Sequence, residues 1–279
     1  MSVKKWRAKD AAQCIIIPSE LDHKYSRGTL GAITGSAQYP GAAVLTTSAA
    51  VATGLGALRF HSNSGLAHLV LHQTPEVLVQ PGPVTAWLAG SGISSKRYSN
   101  ITTWLRHRWF VLLDRQSVPT LLDAGALHLA GSLDQPTLIT PHAGELSKLL
   151  AQRGVIASAE LIESNPREWA VKASELLAVT VLLKGSKTFV AQDQYLIELP
   201  VATPWLATAG SGDVLAGIIG ALIATNYIEI LNDVKRLADV AATGAFIQNR
   251  AALIASDGAP ISASSLIAAI PEAIEKILA

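Results

Sequence analysis

The chain has 279 residues, 49% of them hydrophobic and only 15% charged, with a formal net charge of +1. That supplies material for a large core and excludes an electrostatic nucleic-acid partner, since basic residues such as Lys4, Lys5, Arg106 and Arg108 are scattered and form no block. The single cysteine, Cys14, excludes an intramolecular disulfide and a cysteine zinc cluster; it reads as a buried, inert thiol and suits a cytoplasmic protein.

No internal repeat, low-complexity tract or Gly/Ser-rich linker divides the chain, so one domain over residues 1–279 is expected, with residues 1–20 as a loosely ordered N-terminal arm. Cys14-Ile15-Ile16-Ile17 is too short for a signal-peptide core and stops at Pro18, which argues against export. Thr29-Leu30-Gly31-Ala32-Ile33-Thr34 reads as a buried strand. The Ala- and Thr-rich stretch 43–58, opened by Tyr39-Pro40-Gly41-Ala42, reads as a helix whose small faces pack close to a sheet. Residues 66–71 and 76–79 read as two further strands about a Gln73-Thr74-Pro75 turn, and on a strand His68 and His72 lack the spacing of a metal pair.

Trp87-Leu88-Ala89 is a strand running into Gly90-Ser91-Gly92. Residues 101–109 alternate aromatic and basic side chains as an amphipathic helix in which Trp104 and Trp109 pack. A buried strand over 119–127 carries the carboxylate of Asp123. Leu138-Ile139 repeats that pattern and leads through Thr140-Pro141-His142-Ala143-Gly144-Glu145 into a helix. A helix near 167–177 precedes a strand over 179–183 that ends in Lys184-Gly185-Ser186-Lys187-Thr188, and 188–191 with 194–199 form a hairpin around Asp193. Beyond Val234 the chain is Ala-rich and helical, with breaks at Pro260 and Pro271.

Strands and helices alternate, so the fold class is α/β: a mostly parallel central sheet with helices on both faces. In such a sheet Gly41-Ala42, Gly92, Asp123, His142, Lys184 and Asp213 share one rim. There Ala207-Thr208-Ala209-Gly210-Ser211-Gly212-Asp213 turns into an apolar run that begins at Val214, too short for a membrane span and interrupted by Gly217 and Gly220. The glycines are free to take positive φ, and the backbone N–H groups of Ala209, Gly210, Ser211 and Gly212 form an anion hole at the positive end of a helix. Asp213, beside a bound phosphate, is placed to take a proton from an incoming hydroxyl, which points to phosphoryl transfer. The helix N-terminus is expected to lower its pKa and leave it a weak base until that hydroxyl acidifies. Read singly, each residue has a plainer meaning: Asp213 a helix cap, His142 a loop histidine, Glu145 a first-turn charge, Lys184 an exposed strand end.

Taken together, Thr-Pro-His-x-Gly-Glu at 140–145, Leu-Lys-Gly-x-x-Thr at 183–188 and Ala-Thr-Ala-Gly-Ser-Gly-Asp-Val-Leu-Ala-Gly at 207–217 resemble the NAD(P)H-hydrate dehydratases of the ribokinase-like superfamily, in the bacterial ADP-dependent form. The likeness also takes in His23-Lys24, residues 31–36, Gly41-Ala42 and Asp123-Ala124. It implies cofactor repair, in which the C6 hydroxyl of the S form of hydrated NADH or NADPH takes the β-phosphoryl group of ADP. Loss of phosphate then restores the dihydronicotinamide and leaves AMP. By motif position it implies that Ala42, Gly92 and His142 contact the hydrate, that Lys184, Gly185, Ser186, Lys187, Thr188 and Gly212 hold the adenine nucleotide, that Asp213 faces the reacting hydroxyl, and that Glu145 organises Mg²⁺ through water. It also implies a homotetramer without an epimerase domain.

Three positions depart from the family pattern: Ser91 within Gly-Pro-Gly, Gly125 in place of a second acid, and Gln248 in place of a histidine. Ser91 is expected to alter loop stiffness only mildly, and Gly125 to remove a carboxylate from the site. Two other readings share the motifs. One is a small-molecule kinase of the same fold, acting on hydroxyethylthiazole or hydroxymethylpyrimidine, against which residues 140–145 argue. The other is a nucleotide-binding protein without turnover, suggested by Gly125 and Gln248.

Overall fold

The computed structural model describes residues 3–98 and 100–279. Nine strands form one sheet: β1 (Val3–Lys5), β2 (Thr29–Ile33), β3 (Ala57–Phe60), β4 (Ala86–Ala89), β5 (Thr120–Leu122), β6 (Thr137–Ile139), β7 (Thr180–Leu183), β8 (Phe189–Gln192) and β9 (Tyr195–Glu198), in the order β1-β9-β8-β7-β6-β5-β4-β2-β3. Every neighbouring pair is parallel except those made by β8, which runs against the rest. The alternation of strand and helix therefore yields a mostly parallel sheet, and the hairpin around Asp193, at φ +50°, adds the reversal.

Such a sheet must be covered on both sides, and its strands are buried through most of their length. The helices Pro40–Ala52, Ser211–Thr225 and Lys235–Ser256 cover one face through a core that includes Leu30, Leu88, Val214 and Ile218. On the other, Ala143–Ala151 and Pro166–Leu177 pack over Ile33, Trp87, Leu122 and Ile139. Residues Val214 to Ala224 are buried without interruption, so the apolar run is a core helix. Among the described residues no helix is long and apolar enough to cross a membrane.

Several local expectations change. Residues 66–71 are not a strand but lie in the helix Ser64–Gln73, capped by the Asn63 side chain, which accepts from the Leu66 N–H at 3.1 Å. An apolar run this short fits either period, and the cap decides it. His68 and His72 are therefore four apart on a helix after all. Both are exposed, and among the described residues no cluster of three or more His, Cys, Asp or Glu gathers there. Residues 76–79 contribute only an isolated bridge from Leu78 to Arg59. The helix expected over 43–58 ends at Ala52, and its last residues enter β3. At the N-terminus, β1 pairs with β9, Trp6 is buried and Ala8–Ala12 is helical, so the arm is tied to the sheet. Cys14 is buried, and burial pushes its thiol up.

Candidate active site

The winding of the sheet reverses between β2 and β4: β3 lies outside β2, whereas β5, β6 and β7 follow on the far side of β4. Loops after neighbouring strands diverge at such a point and leave a crevice at the strands' carboxyl ends. The two loops are held together there, because the Gly35 N–H donates to the Ser91 carbonyl at 2.7 Å. Gly92 has φ +66°, and a Cβ on it would lie 2.3 Å from the Ala42 Cβ. Ala42 and Gly92 thus form one wall at the start of the helix Pro40–Ala52.

Asp123, just beyond β5, sits at the centre of the rim. It is 4% exposed and accepts from Ser91 Oγ at 2.8 Å, Thr140 Oγ1 at 2.9 Å and Lys184 Nζ at 3.0 Å. Burial alone would raise its pKa, but the Lys184 ammonium and the two hydroxyl donors outweigh burial and hold the carboxyl below its ordinary value. Burial likewise works against the Lys184 charge, and Asp123, Glu145 and Asp213 more than restore it. A carboxylate at a strand end carries no pattern in the sequence that announces three partners from three other loops, as Asp123 has here. Ser91 does more than change loop stiffness, as its hydroxyl is one of those partners.

The Thr140 to Glu145 motif folds as a capping box. His142 Nδ1 accepts from the Gly144 N–H at 3.1 Å, and Glu145 Oε2 accepts from the His142 N–H at 2.9 Å. An accepting Nδ1 places the ring proton on Nε2, which lies 3.5 Å from Glu145 Oε2. Glu145 Oε2 is 3.9 Å from Lys184 Nζ, so the histidine and lysine loops meet across this carboxylate. The Lys184 N–H continues the contact by donating to the Pro141 carbonyl at 2.9 Å.

The glycine corner lies against the same lysine. Gly210 takes φ +86° as the residue before the helix Ser211–Thr225, and a Cβ on Gly212 would stand 4.0 Å from Lys184 Nζ. The corner is open, with Ala209 exposed and Gly210 to Asp213 half-buried. Among the described residues the N–H groups of Ala209, Gly210, Gly212 and Asp213 have no protein acceptor, whereas that of Ser211 donates to the Thr208 carbonyl at 3.3 Å. Four such donors therefore lie at a helix N-terminus, a setting that favours a phosphate. Gln248 steadies the corner by donating from Nε2 to the Ser211 carbonyl at 2.6 Å. Gly185, Ser186 and Lys187 are exposed and Thr188 is half-buried in the loop after β7. Beside that loop a cavity of about 630 Å³ is lined by Ser186, Lys187, Asn165 and Arg167.

Asp213 corrects one expectation outright. Its pKa is not lowered: burial pushes it up to about 6, with the Asp123 charge adding and Lys184 opposing. Among the described residues its carboxylate accepts no hydrogen bond, so the helix terminus does not offset the lost hydration. A carboxylate that titrates near neutrality is a better general base than an ordinary one. The space at Gly125 also explains itself, since a Cβ there would lie 2.3 Å from the Ile93 carbonyl oxygen. This backbone has no room for a second acid.

Residues 30–272 match the family model described as NAD(P)H-hydrate dehydratase. The chain belongs to that family. It is 37% identical over 235 residues to the bifunctional NAD(P)H-hydrate repair enzyme of Mycobacterium tuberculosis, covering 79% of this chain and 46% of that one. It is 30% identical over 275 residues to the ADP-dependent (S)-NAD(P)H-hydrate dehydratase of Neisseria meningitidis, covering 91% and 86%. The chain thus spans about half the length of the mycobacterial relative. The ADP/ATP-dependent NAD(P)H-hydrate dehydratase of Bacillus subtilis, co-crystallised with ATP and Mg²⁺, superposes with a TM-score of 0.83 at 22% identity, covering 99% of each chain. At that identity the likeness establishes the shared fold.

Proposed function

We propose that residues 1–279 form one ADP-dependent (S)-NAD(P)H-hydrate dehydratase domain. The observation that carries this is the pairing of an open corner of unpartnered N–H groups with Asp213, a carboxylate pushed up to about 6, beside a lysine held charged. The activity for which the neisserial relative is named supports it.

In the first step the C6 oxygen of the hydrate bonds to the β-phosphorus of ADP, AMP departs with the electrons of the broken P–O bond, and the hydroxyl proton passes to Asp213. In the second the C6–O bond breaks with its electrons leaving on phosphate, the ring nitrogen supplies the compensating lone pair, and a C5 proton passes to solvent water to restore the double bond. Ala209, Gly210 and Gly212 donate to the transferring phosphoryl oxygens, with Ser211 the weakest member because its N–H is already engaged. Lys184, Gly185, Ser186, Lys187 and Thr188 hold the nucleotide, with Lys184 balancing its charge. Ala42, Gly92 and His142 flank the dihydropyridine ring. Mg²⁺, when bound, would neutralise charge on the phosphates. Glu145 fits it through water, because its Oε1 has no partner among the described residues and a magnesium ion keeps most of its shell.

Cytoplasmic residence, consistent with the lone buried Cys14, and assembly as a homotetramer belong to the same reading. The test incubates the purified chain with Mg²⁺, hydrated NADH and ADP or ATP, and follows recovery of dihydronicotinamide absorbance. Recovery with ADP and release of AMP is the expected result. Absence of recovery with both nucleotides overturns the proposal, and a phosphorylated thiazole or pyrimidine product replaces it with the kinase reading.

A further inference from the structure

A cavity of about 750 Å³ opens between the helices Ser64–Gln73 and Ile101–His107 and the turn that contains Ser36 and Pro40. Of the residues in the family motifs, only Ser36 lies among its described lining. Its walls are apolar along Leu66, Leu69 and Trp109, while its charged lining consists of Arg106, Arg108 and Arg115 and includes no carboxylate. Arg106 is 3% exposed, and its three partners are neutral: it donates to the carbonyls of Gly35 at 2.9 Å, Thr34 at 2.9 Å and His61 at 3.0 Å. No carboxylate pairs with it among the described residues. Burial pulls its pKa down to about 10, which leaves it charged at neutral pH. Buried cations ordinarily have a counter-ion, and Arg106 lines a cavity that could receive one.

The cavity and the rim are bordered by the same turn. The turn that lines it, through Ser36 and Pro40, is the one whose Tyr39 carbonyl would lie 3.1 Å from a Cβ on Gly92. A molecule seated there would therefore lie across one turn from the wall made by Ala42 and Gly92. It would need a flat or apolar part for Leu69 and Trp109 and negative charge for the arginines.

The geometry points to this cavity as the seat of the phosphorylated adenosine half of the hydrated dinucleotide, with the base against Leu69 and Trp109 and the phosphates toward Arg106, Arg108 and Arg115. This assignment rests on the dehydratase reading for the identity of the substrate. Leu69 and Arg115 are exposed, so Leu69→Glu and Arg115→Ala alter the lining without disturbing the core. Two measurements decide the matter. In the first, adenosine 2′,5′-bisphosphate is titrated calorimetrically into the protein with AMP saturating the nucleotide loop, and its Kd should weaken about tenfold in each variant, through loss of one charge-assisted contact in Arg115→Ala and through a repelling carboxylate in place of an apolar wall in Leu69→Glu. In the second, KM for hydrated NADPH should rise by about the same factor, while KM for ADP and for hydrated reduced nicotinamide mononucleotide, which lacks the adenosine half, stays as in the wild type.

Failure of the bisphosphate to bind the wild type, equal binding to the variants, or an equal KM rise for the truncated substrate overturns the assignment. So does dissociation of an assembly by either variant in light scattering, which would give the cavity to a second copy of the chain. A wild type that binds the bisphosphate as described but turns over no hydrate refutes the dehydratase reading, and the titration still decides the cavity.

Discussion

Replacing Asp213 by Asn separates the general base from the helix cap. Asp213 titrates at about 6 against an ordinary 3.8, because burial and the Asp123 charge outweigh Lys184. Two pK units correspond to roughly 3 kcal/mol at about 1.4 kcal/mol per unit, and residual solvent contact reduces this to about 1–2 kcal/mol. Its sign follows from linkage: the folded pKa is raised, so the folded state is penalised once the carboxyl ionises. The penalty is absent below pH 3.8, grows up to pH 6 and is complete above. Asp213→Asn is therefore expected to be more stable than the wild type at pH 7.5 by that amount, with the gap closing at pH 4, and to lose turnover. Urea unfolding at the two pH values measures the gap, and kcat/KM of the wild type should fall tenfold per pH unit below about pH 6. A first-turn carboxylate that acts only on the helix dipole behaves in the opposite way, losing about 0.3–1 kcal/mol on this change at pH 7.5. An Asn variant that is less stable at neutral pH, or a wild-type profile flat down to pH 4.5, would refute the reasoning.

The remaining predictions concern the scaffold of the site. Lys184→Met strands the buried Asp123 carboxylate and should lower stability by about 3 kcal/mol, whereas in an Asp123→Asn background it should cost at least about 1 kcal/mol less; a thermal-unfolding double-mutant cycle gives the coupling. Gly92→Ala meets both a positive φ and a Cβ contact of 2.3 Å with Ala42, so a loss of about 2–4 kcal/mol by denaturant titration and a raised KM for the hydrate are expected. Gly125→Asp, which restores the acid of the family pattern, should fail to tighten substrate binding and should destabilise by about 1–3 kcal/mol, since the Ile93 carbonyl oxygen occupies the Cβ position.

Much of the fold was legible because its signals are local. The apolar runs of β2, β4, β6 and β7, the small-residue helix opened by Pro40 and the uninterrupted run from Val214 each carry their own periodicity or length. Where two local readings have equal standing, as in residues 66–71, or where a strand draws its stability from a distant partner, as β1 does from β9, the chain alone was misleading. The motifs at 140–145, 183–188 and 207–217 were likewise readable, since each is a loop whose shape follows from its own glycines and caps.

What belongs to the sequence by itself is the list of rim loops, their chemistry and their order along parallel strands. What only the tertiary structure decided is charge and access: that Asp123 binds Lys184, that Asp213 is raised instead of lowered, that Gly125 has no room for a side chain, and that Arg106 is buried beside a cavity without a carboxylate partner among the described residues. The reason is physical. Backbone preferences act over a few residues, whereas desolvation and Coulomb interaction depend on which distant groups share a volume, and that is set by packing.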